Sequence, residues 1–391
     1  MRVLLPFVAL FSLACASGNG HPASPSGRGA GAGAGGASAG SGNGGTAGSS
    51  GSAGAVAALP VCPDPIDLGV HLVGRHDGCD ETGVRMAWSG TGFVARFSGT
   101  GLSISQSGAA VQYTVVVDGA VGPNLLTTRG SGTYEVVTGL ADGEHTVEVY
   151  RRGEASFGVT ILQGVDVVDG ELLSPPAAPA RRIEVIGDSI TCGYGNEGED
   201  TSCSFSADTE NHYLTYGAVL ARALDAELST IAWSGRGVVV NYDGDTASPT
   251  MPAYFERAIP QDSSTAWFFP WEPDAVIVNL GTNDYSTNND PEDTVFVDGY
   301  ETLLLNIRQR YPAAYVLCTV GPLLSGADLS TARTNIAAAV AGRNDAGDDR
   351  VAAYELAPNN PDPGCDWHPS VATHAAMADE LAVPLAQALG W

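Results

Sequence analysis

The chain has 391 residues and a formal net charge of −26, with 44 acidic residues against 18 basic ones, all of them arginine. A surface of this charge repels nucleic acid and anionic membranes, so neither is expected as a partner. A neutral polysaccharide meets no such opposition. The length is sufficient for two domains, each with a core of its own.

The N-terminus has the layout of a bacterial export signal over residues 1–16, with one arginine, an apolar run and small residues around Cys15. Either Cys15 carries the lipid of a surface-anchored lipoprotein, or an ordinary signal is cut off. Residues 17–58 are almost entirely Gly, Ala and Ser, which cannot bury enough apolar surface to offset the entropy of ordering. They predict a flexible tether, and we expect a secreted or surface-anchored protein.

Setting Cys15 aside leaves six of the seven cysteines. An even number in an exported chain indicates disulfides rather than metal ligands, and no cysteine pair has zinc-site spacing. No metal and no other cofactor is expected. Nearness in sequence favours the pairs Cys62 with Cys79 and Cys192 with Cys203, which leaves Cys318 with Cys365, although other pairings stay open.

Alternating apolar residues indicate an all-β domain over residues 59–173. The runs Phe-Val-Ala-Arg-Phe at 93–97 and Tyr-Thr-Val-Val-Val at 113–117 are typical, with Gly-rich or Asp-Gly turns between such runs. This spacing predicts an antiparallel β-sandwich, in which nothing by itself suggests catalysis. A proline-rich linker at 174–179 ends it, because successive prolines continue neither strand nor helix.

Residues 180–391 predict a three-layer α/β domain. Their apolar runs are continuous, as expected for parallel strands buried on both faces, and helix-like stretches lie between them. The predicted strands are 182–187, 227–233, 275–280, 314–320 and 350–354, and the predicted helices are 214–224, 297–310, 328–343 and 371–389.

Candidate catalytic residues lie in segments that follow four of the predicted strands. This position is informative because ligands bind at the carboxyl ends of parallel strands. Acyl transfer needs a hydroxyl nucleophile, a base and donors aimed at the developing oxyanion. We predict Ser189 as the nucleophile, His368 as the base, and an oxyanion hole formed by the Ser189 and Gly235 backbone with the Asn283 side chain. Asp366 lies two residues before His368, and we predict its carboxylate as the third catalytic group, which orients the ring. The alternative is that a backbone carbonyl does so.

Other polar residues near these positions have structural interpretations. Asp188 and Asp284 are expected to hold their own loops by accepting backbone N–H bonds. We do not expect His212 or His374 to act in catalysis.

An aromatic cluster precedes the third predicted strand of the α/β domain. Such clusters more often fill cores than bind sugars, but a sugar can stack on an exposed ring through its apolar face. We predict a sugar contact by at least one member, with Trp271 favoured among Trp267, Phe268, Phe269 and Trp271.

The four catalytic blocks resemble those of the SGNH, or GDSL, hydrolases. The stretches 183–196 and 364–374 further resemble carbohydrate esterase family 2, which joins an N-terminal jelly-roll sandwich to an SGNH domain. The resemblance covers residues 68–391. It departs at the acid, because SGNH enzymes generally carry Asp three residues before the His, and Asp366 is two before it.

The resemblance implies a serine esterase that removes acetyl groups from plant polysaccharide or oligosaccharide, such as xylan or glucomannan, with a preference for the 6-position of hexoses. We expect a monomer. Two other classes stay open: a general GDSL lipase or thioesterase, and a carbohydrate-binding protein without full catalysis.

Overall fold

The computed structural model describes residues 66–270, 272–358 and 363–391. In this part of the chain an antiparallel β-sandwich is followed by a three-layer α/β region, so the predicted fold class is confirmed. The export signal, Cys15 and the tether lie outside the described residues. No described helix is long and apolar enough to cross a membrane.

The sandwich is built from short strands whose side chains alternate between the core and solvent. In β4 and β5 nearly every second residue is buried, which matches the sequence alternation. One sheet has the order β1-β4-β10-β6-β7, with β12 beside β4 and β8 beside β6, and the other has the order β2-β3-β11-β5-β9. The strands are β1 (His71–Val73), β2 (His76–Asp77), β3 (Val84–Met86), β4 (Gly92–Gly99), β5 (Gly101–Gly108), β6 (Gln112–Val117), β7 (Ala120–Val121), β8 (Leu125–Leu126), β9 (Gly132–Val137), β10 (Gly143–Arg151), β11 (Thr160–Val168) and β12 (Glu171–Leu173).

The α/β region contains a parallel sheet of order β14-β13-β15-β16-β17. Its strands are β13 (Arg181–Gly187), β14 (Ala226–Ala232), β15 (Ala275–Asn279), β16 (Tyr315–Val320) and β17 (Val351–Glu355). Its helices are α1 (Ser189–Cys192), α2 (Tyr216–Ala223), α3 (Thr282–Tyr285), α4 (Asp293–Arg310), α5 (Gly326–Asp345) and α6 (Val371–Leu389). Helices α4 and α5 cover one face and α2 and α6 the other, which explains why β15 is buried at every position.

A buried ion pair joins the two regions. Arg75, which follows β1, donates to the Glu184 carboxylate of β13 at 2.9 Å, and both side chains are almost fully buried. The guanidinium also lies over the rings of Phe255, Trp267 and Phe269. Removing one partner of such a pair typically costs about 3–5 kcal/mol, because the other charge is left uncompensated.

The disulfide pattern differs from the prediction. Cys203 is bonded to Cys365, whereas Cys192 and Cys318 are buried free thiols. The predicted pairs Cys192–Cys203 and Cys318–Cys365 are therefore wrong, because nearness in sequence is not nearness in the fold. Cys79 is disulfide-bonded, but Cys62 lies outside the described residues, so their pairing stays a prediction.

Candidate active site

Ser189 lies on a tight turn at the carboxyl end of β13. The Asp188 carboxylate accepts a hydrogen bond from the Ile190 backbone N–H at 3.1 Å and so caps α1, which ends after a single turn. Burial raises the pKa of Asp188 to about 7. These local bonds hold Ser189 at the edge of the sheet, with 7% of its surface exposed.

His368 contacts Ser189 directly. Its Nε2 lies 2.8 Å from the Ser189 Oγ, and its Nδ1 lies 3.2 Å from the backbone carbonyl oxygen of Asp366. When Nδ1 donates to that carbonyl, Nε2 is left free to accept the serine proton. Burial lowers the pKa of His368 to about 4, so the ring is neutral at neutral pH and its Nε2 can accept a proton.

The Asp366 carboxylate does not orient the histidine. Its Oδ2 instead accepts a hydrogen bond from the Tyr194 hydroxyl at 2.7 Å. Asp366 and Trp367 have φ of 50° and 63°, so the backbone makes a left-handed turn here. In this turn the Asp366 carbonyl faces the His368 ring, whereas the Asp366 carboxylate faces Tyr194. The favoured prediction of Asp366 as the triad acid is therefore wrong, and the alternative with a backbone carbonyl describes the geometry.

A row of stacked aromatic rings packs against the His368 ring. The Tyr194 ring lies 4.0 Å from the histidine ring and 4.4 Å from Phe205, and Phe205 lies 5.6 Å from Phe157 of the sandwich region. The Cys203–Cys365 bond joins the segment that carries Phe205 to the loop of residues 363–370, which carries His368 and is called the histidine loop below. Gly195 packs so closely on Cys365 that a side-chain carbon there would lie 2.6 Å from the Cys365 Cβ.

Sequence reasoning missed this support. Tyr194 stands five residues after the nucleophile, between two glycines, and that position near Ser189 is the signal that could have suggested it. Nothing in the sequence pairs Phe205 or Phe157 with the histidine loop.

The residues predicted to form the oxyanion hole, Ser189, Gly235 and Asn283, line one cleft together with His368. Gly235 has φ of 77°, a conformation that favours glycine, and it lines the same cleft as Ser189. The Asn283 amide nitrogen donates to the Asp188 carboxylate at 3.1 Å and to the Arg236 carbonyl at 3.0 Å. Asn283 thus links the nucleophile turn to the Gly235 loop, and to serve an oxyanion it must share or exchange one of these bonds.

Asp284 holds the loop that follows Gly235. Its carboxylate accepts hydrogen bonds from the backbone N–H groups of Val238, Val239 and Val240 at 2.8–2.9 Å. Asp188 and Asp284 both accept backbone N–H bonds, as predicted, although Asp284 holds a neighbouring loop rather than its own.

His212 and His374 are buried, and their hydrogen-bond partners are neither Ser189 nor His368. The His212 Nε2 contacts the Thr230 hydroxyl, and the His374 Nδ1 accepts from the Tyr216 backbone N–H. Burial lowers the pKa of each to about 3. Both contacts are of the kind expected for structural residues.

An open cleft of about 460 Å³ leads to the Ser189–His368 pair. Two rings that line it are largely exposed, Trp367 at 66% and Tyr242 at 55%. The favoured sugar contact, Trp271, lies outside the described residues. Its neighbours Trp267 and Phe269 pack around Arg75 and do not line this cleft.

Comparison with known proteins shows which family the chain resembles. Residues 72–176 match the model described as Carbohydrate esterase 2 N-terminal, and residues 185–376 match the GDSL-like Lipase/Acylhydrolase family. A family two carbohydrate esterase from Clostridium thermocellum, solved in complex with cellohexaose, is 38% identical, with a TM-score of 0.80 over 82% of this chain and 99% of that one. The chain belongs to carbohydrate esterase family 2. It is a carboxylic ester hydrolase with an SGNH-type catalytic region.

Other relatives agree with this family 2 assignment. A family 2 enzyme from Corynascus thermophilus is 33% identical, with a TM-score of 0.74 over 82% of this chain and all of that one. Cellulase/esterase CelE of Acetivibrio thermocellus is 38% identical over 84% of this chain, which spans 40% of the length of CelE. An acetylxylan esterase / glucomannan deacetylase of Cellvibrio japonicus is 26% identical over 83% of this chain and 90% of its own.

Proposed function

We propose that this family 2 esterase removes O-acetyl groups from plant polysaccharides such as xylan and glucomannan through an acetyl-Ser189 intermediate. The observation that carries the proposal is the Ser189–His368 pair, 2.8 Å apart, in a cleft flanked by exposed aromatic rings. The Cellvibrio japonicus relative is an acetylxylan esterase / glucomannan deacetylase, and the Clostridium thermocellum enzyme was solved in complex with cellohexaose; both support this substrate class.

The first half of the reaction transfers the acetyl group to the enzyme. His368 Nε2 takes the Ser189 proton while the oxygen attacks the acetyl carbonyl, and N–H donors of the Gly235 and Asn283 region stabilise the resulting oxyanion. The imidazolium then gives its proton to the sugar oxygen, which leaves as an alcohol. In the second half, water gives a proton to His368 Nε2 as its oxygen attacks the acetyl-serine carbonyl. The imidazolium then returns that proton to the Ser189 oxygen as the acyl C–O bond breaks, and acetic acid leaves and ionises to acetate.

His368 performs this work as part of a dyad. The Asp366 carbonyl fixes the Nδ1–H tautomer and offers a dipole, without a full charge, to the imidazolium. The face of the Tyr194 ring, 4.0 Å away, adds an electrostatic attraction to the cationic ring.

The open cleft suits a sugar chain. Exposed rings of Trp367 and Tyr242 offer flat apolar surfaces on which pyranose C–H faces stack. In this proposal they replace Trp271 as the favoured sugar contacts. Trp367→Ala and Tyr242→Ala should raise KM on polymer and leave turnover of a small acetyl ester near wild type.

An acetate-release assay tests the proposed function. Acetylated xylan, acetylated glucomannan and a long-chain acyl ester are compared at equal ester concentration, with Ser189→Ala as the control for background hydrolysis. Acetate release from the polymers with no long-chain activity supports the deacetylase. Preference for the long chain would move the enzyme to the lipase class, and polymer binding without release would indicate a binding protein.

Export and attachment are proposed from the N-terminal sequence. If Cys15 carries lipid, the Cys15→Ser variant of the full chain should move from the membrane fraction of a bacterial host to the medium. If the wild type is found in the medium to the same extent as Cys15→Ser, simple secretion without a lipid anchor is supported.

A further inference from the structure

A carboxylate from the sandwich region reaches the loop that carries Gly235. Glu154 lies just after β10, and its Oε2 accepts a hydrogen bond from the Ser234 backbone N–H at 2.8 Å. Ser234 directly precedes Gly235, and Glu154 is only 3% exposed. The bond therefore joins two regions of the fold beside a predicted oxyanion donor.

Glu154 is itself held in place from several sides. The Glu210 carboxylate accepts from the Glu154 backbone N–H at 2.9 Å, and Arg151 donates to the Glu154 carbonyl at 3.0 Å. The second oxygen of the Glu154 carboxylate accepts from the Ser156 hydroxyl. The Cys192 thiol, at the end of the nucleophile helix, lies within 4.8 Å of ligand atoms of both glutamates.

The Gly235 loop needs such outside support. A glycine at φ of 77° has wide conformational freedom, and a side-chain carbon at Gly235 would meet nothing closer than 3.8 Å. Asp284 fixes the far side of the loop and Asn283 fixes its middle at Arg236. Glu154 holds the side at which the chain enters, and the Gly235 carbonyl accepts from the Tyr242 backbone N–H at 2.9 Å. Among these contacts, the bond to Glu154 is the one made by the residue directly before Gly235.

We propose that Glu154 is a positioning residue for the oxyanion hole, and that through it the β-sandwich takes part in organising the active site. The inference rests on the proposed function, because only acyl transfer at Ser189 uses the Gly235 N–H. Oxyanion stabilisation depends on donors that are fixed before charge develops, and small displacements cost much of the effect.

A purely structural role makes a different prediction. A residue that only stabilises the contact between the two regions changes thermal stability and leaves the kinetics of the folded enzyme intact. A positioning residue lowers kcat while KM for a small ester stays constant, because the ground-state carbonyl makes weaker use of the oxyanion donors.

Glu154→Ala in the full chain is the first variant. On 4-nitrophenyl acetate we expect kcat to fall about 10- to 100-fold, somewhat less than complete loss of one donor, with KM within twofold. Glu154→Gln should recover most of the activity, because its amide oxygen can accept from Ser234 at the same reach. Gln112→Ala is the matched control: it removes another bond between the regions, to Asp208, and should keep wild-type kcat.

Two results would overturn the proposal. One is a folded Glu154→Ala enzyme with kcat within twofold of wild type, and the other is an equal loss in Gln112→Ala. If Glu154→Ala does not fold, Glu154→Asp keeps a carboxyl group at the site but draws the acceptor away from Ser234, and the same kcat loss is expected of it.

Hydrogen exchange provides a readout that is independent of activity. Amides of residues 232–241 should exchange faster in Glu154→Ala, and close to wild type in Glu154→Gln and Gln112→Ala. A wild-type enzyme that hydrolyses no ester would overturn the proposed function, while the exchange data would still decide whether Glu154 fixes the loop. Unchanged exchange in Glu154→Ala would overturn the positioning role.

Discussion

The turn that carries Ser189 and the loop that carries His368 supply the two reacting side chains, yet different contacts hold them in place. Ser189 is fixed by its neighbours, through the Asp188 cap and the strand that precedes it. His368 also depends on distant residues: Cys365 of its loop is bonded to Cys203, 162 positions away in sequence, and the His368 ring stacks on Tyr194. Local bonds can be inferred from a motif, whereas long-range ones need the fold.

The largest expected effect lies at the shared centre of the two regions. Ser189→Ala should lower kcat by on the order of 10⁵- to 10⁶-fold, because it removes the attacking oxygen. His368→Ala should cost a similar factor, and the double variant little more, since nucleophile and base act as one unit. Acetate release from a small ester measures all three, and strictly multiplicative losses would contradict a coupled pair.

Asn283 tests the support on the nucleophile side. Asn283→Ala should lower kcat by about 10²- to 10³-fold with KM nearly constant, as expected when one oxyanion donor is lost. Its bond to the Asp188 carboxylate also disappears, so Asp188→Asn serves as the control for disturbance of the turn alone. A raised KM with normal kcat would mean that Asn283 holds the ground-state substrate.

The Cys203–Cys365 bond tests the histidine side. Replacing both cysteines with serine should lower the free energy of unfolding by about 2–5 kcal/mol, because the unfolded chain regains the freedom that the bond removes. Cys318→Ser is the control, since that thiol is buried and free. Chemical denaturation of the three proteins measures the difference, and equal stability of the double variant and wild type would contradict a structural role for the bond.

The acid limb of the pH profile follows from the burial of His368. Because burial lowers the pKa of His368 to about 4, its neutral form persists well below the ordinary range for histidine. We expect kcat/KM for a small ester to stay constant from neutral pH down to about 5, and to fall tenfold per pH unit below about 4. A midpoint near the ordinary histidine value of about 6.5 would contradict this account.

The difference between local and long-range contacts explains which features the sequence could predict. Continuous apolar runs such as Ala-Val-Ile-Val-Asn at 275–279 specify a buried parallel strand wherever they occur, so the sheet and the longer helices were predicted closely. Ser189, Gly235, Asn283 and His368 follow strand ends or lie in a recognisable motif. The sequence alone therefore suffices to predict them as candidates.

The contacts that sequence could not predict are long-range. Cys365 pairs with Cys203 rather than Cys318, and Glu154 reaches Ser234 across the two regions. The orientation of Asp366 depends on two left-handed residues and on the Tyr194 hydroxyl. A spacing of two residues between Asp366 and His368 is compatible with either partner for the ring, and only the folded loop decides between them.

A backbone carbonyl and a stacked ring, not a carboxylate, orient His368. Asp366→Asn tests it most directly, because asparagine tolerates a left-handed φ and its side-chain oxygen can still accept from Tyr194. Tyr194→Phe is the companion variant, since it keeps the ring stack and removes only the hydroxyl.

The decisive measurement is kcat of Asp366→Asn on a small acetyl ester, whose turnover does not depend on sugar contacts. We predict a loss of less than about tenfold, because the backbone carbonyl and the Tyr194 ring remain in place. A loss approaching 10⁴-fold, the scale on which neutralising a triad acid acts, would mean that the carboxylate orients His368 and would contradict the account.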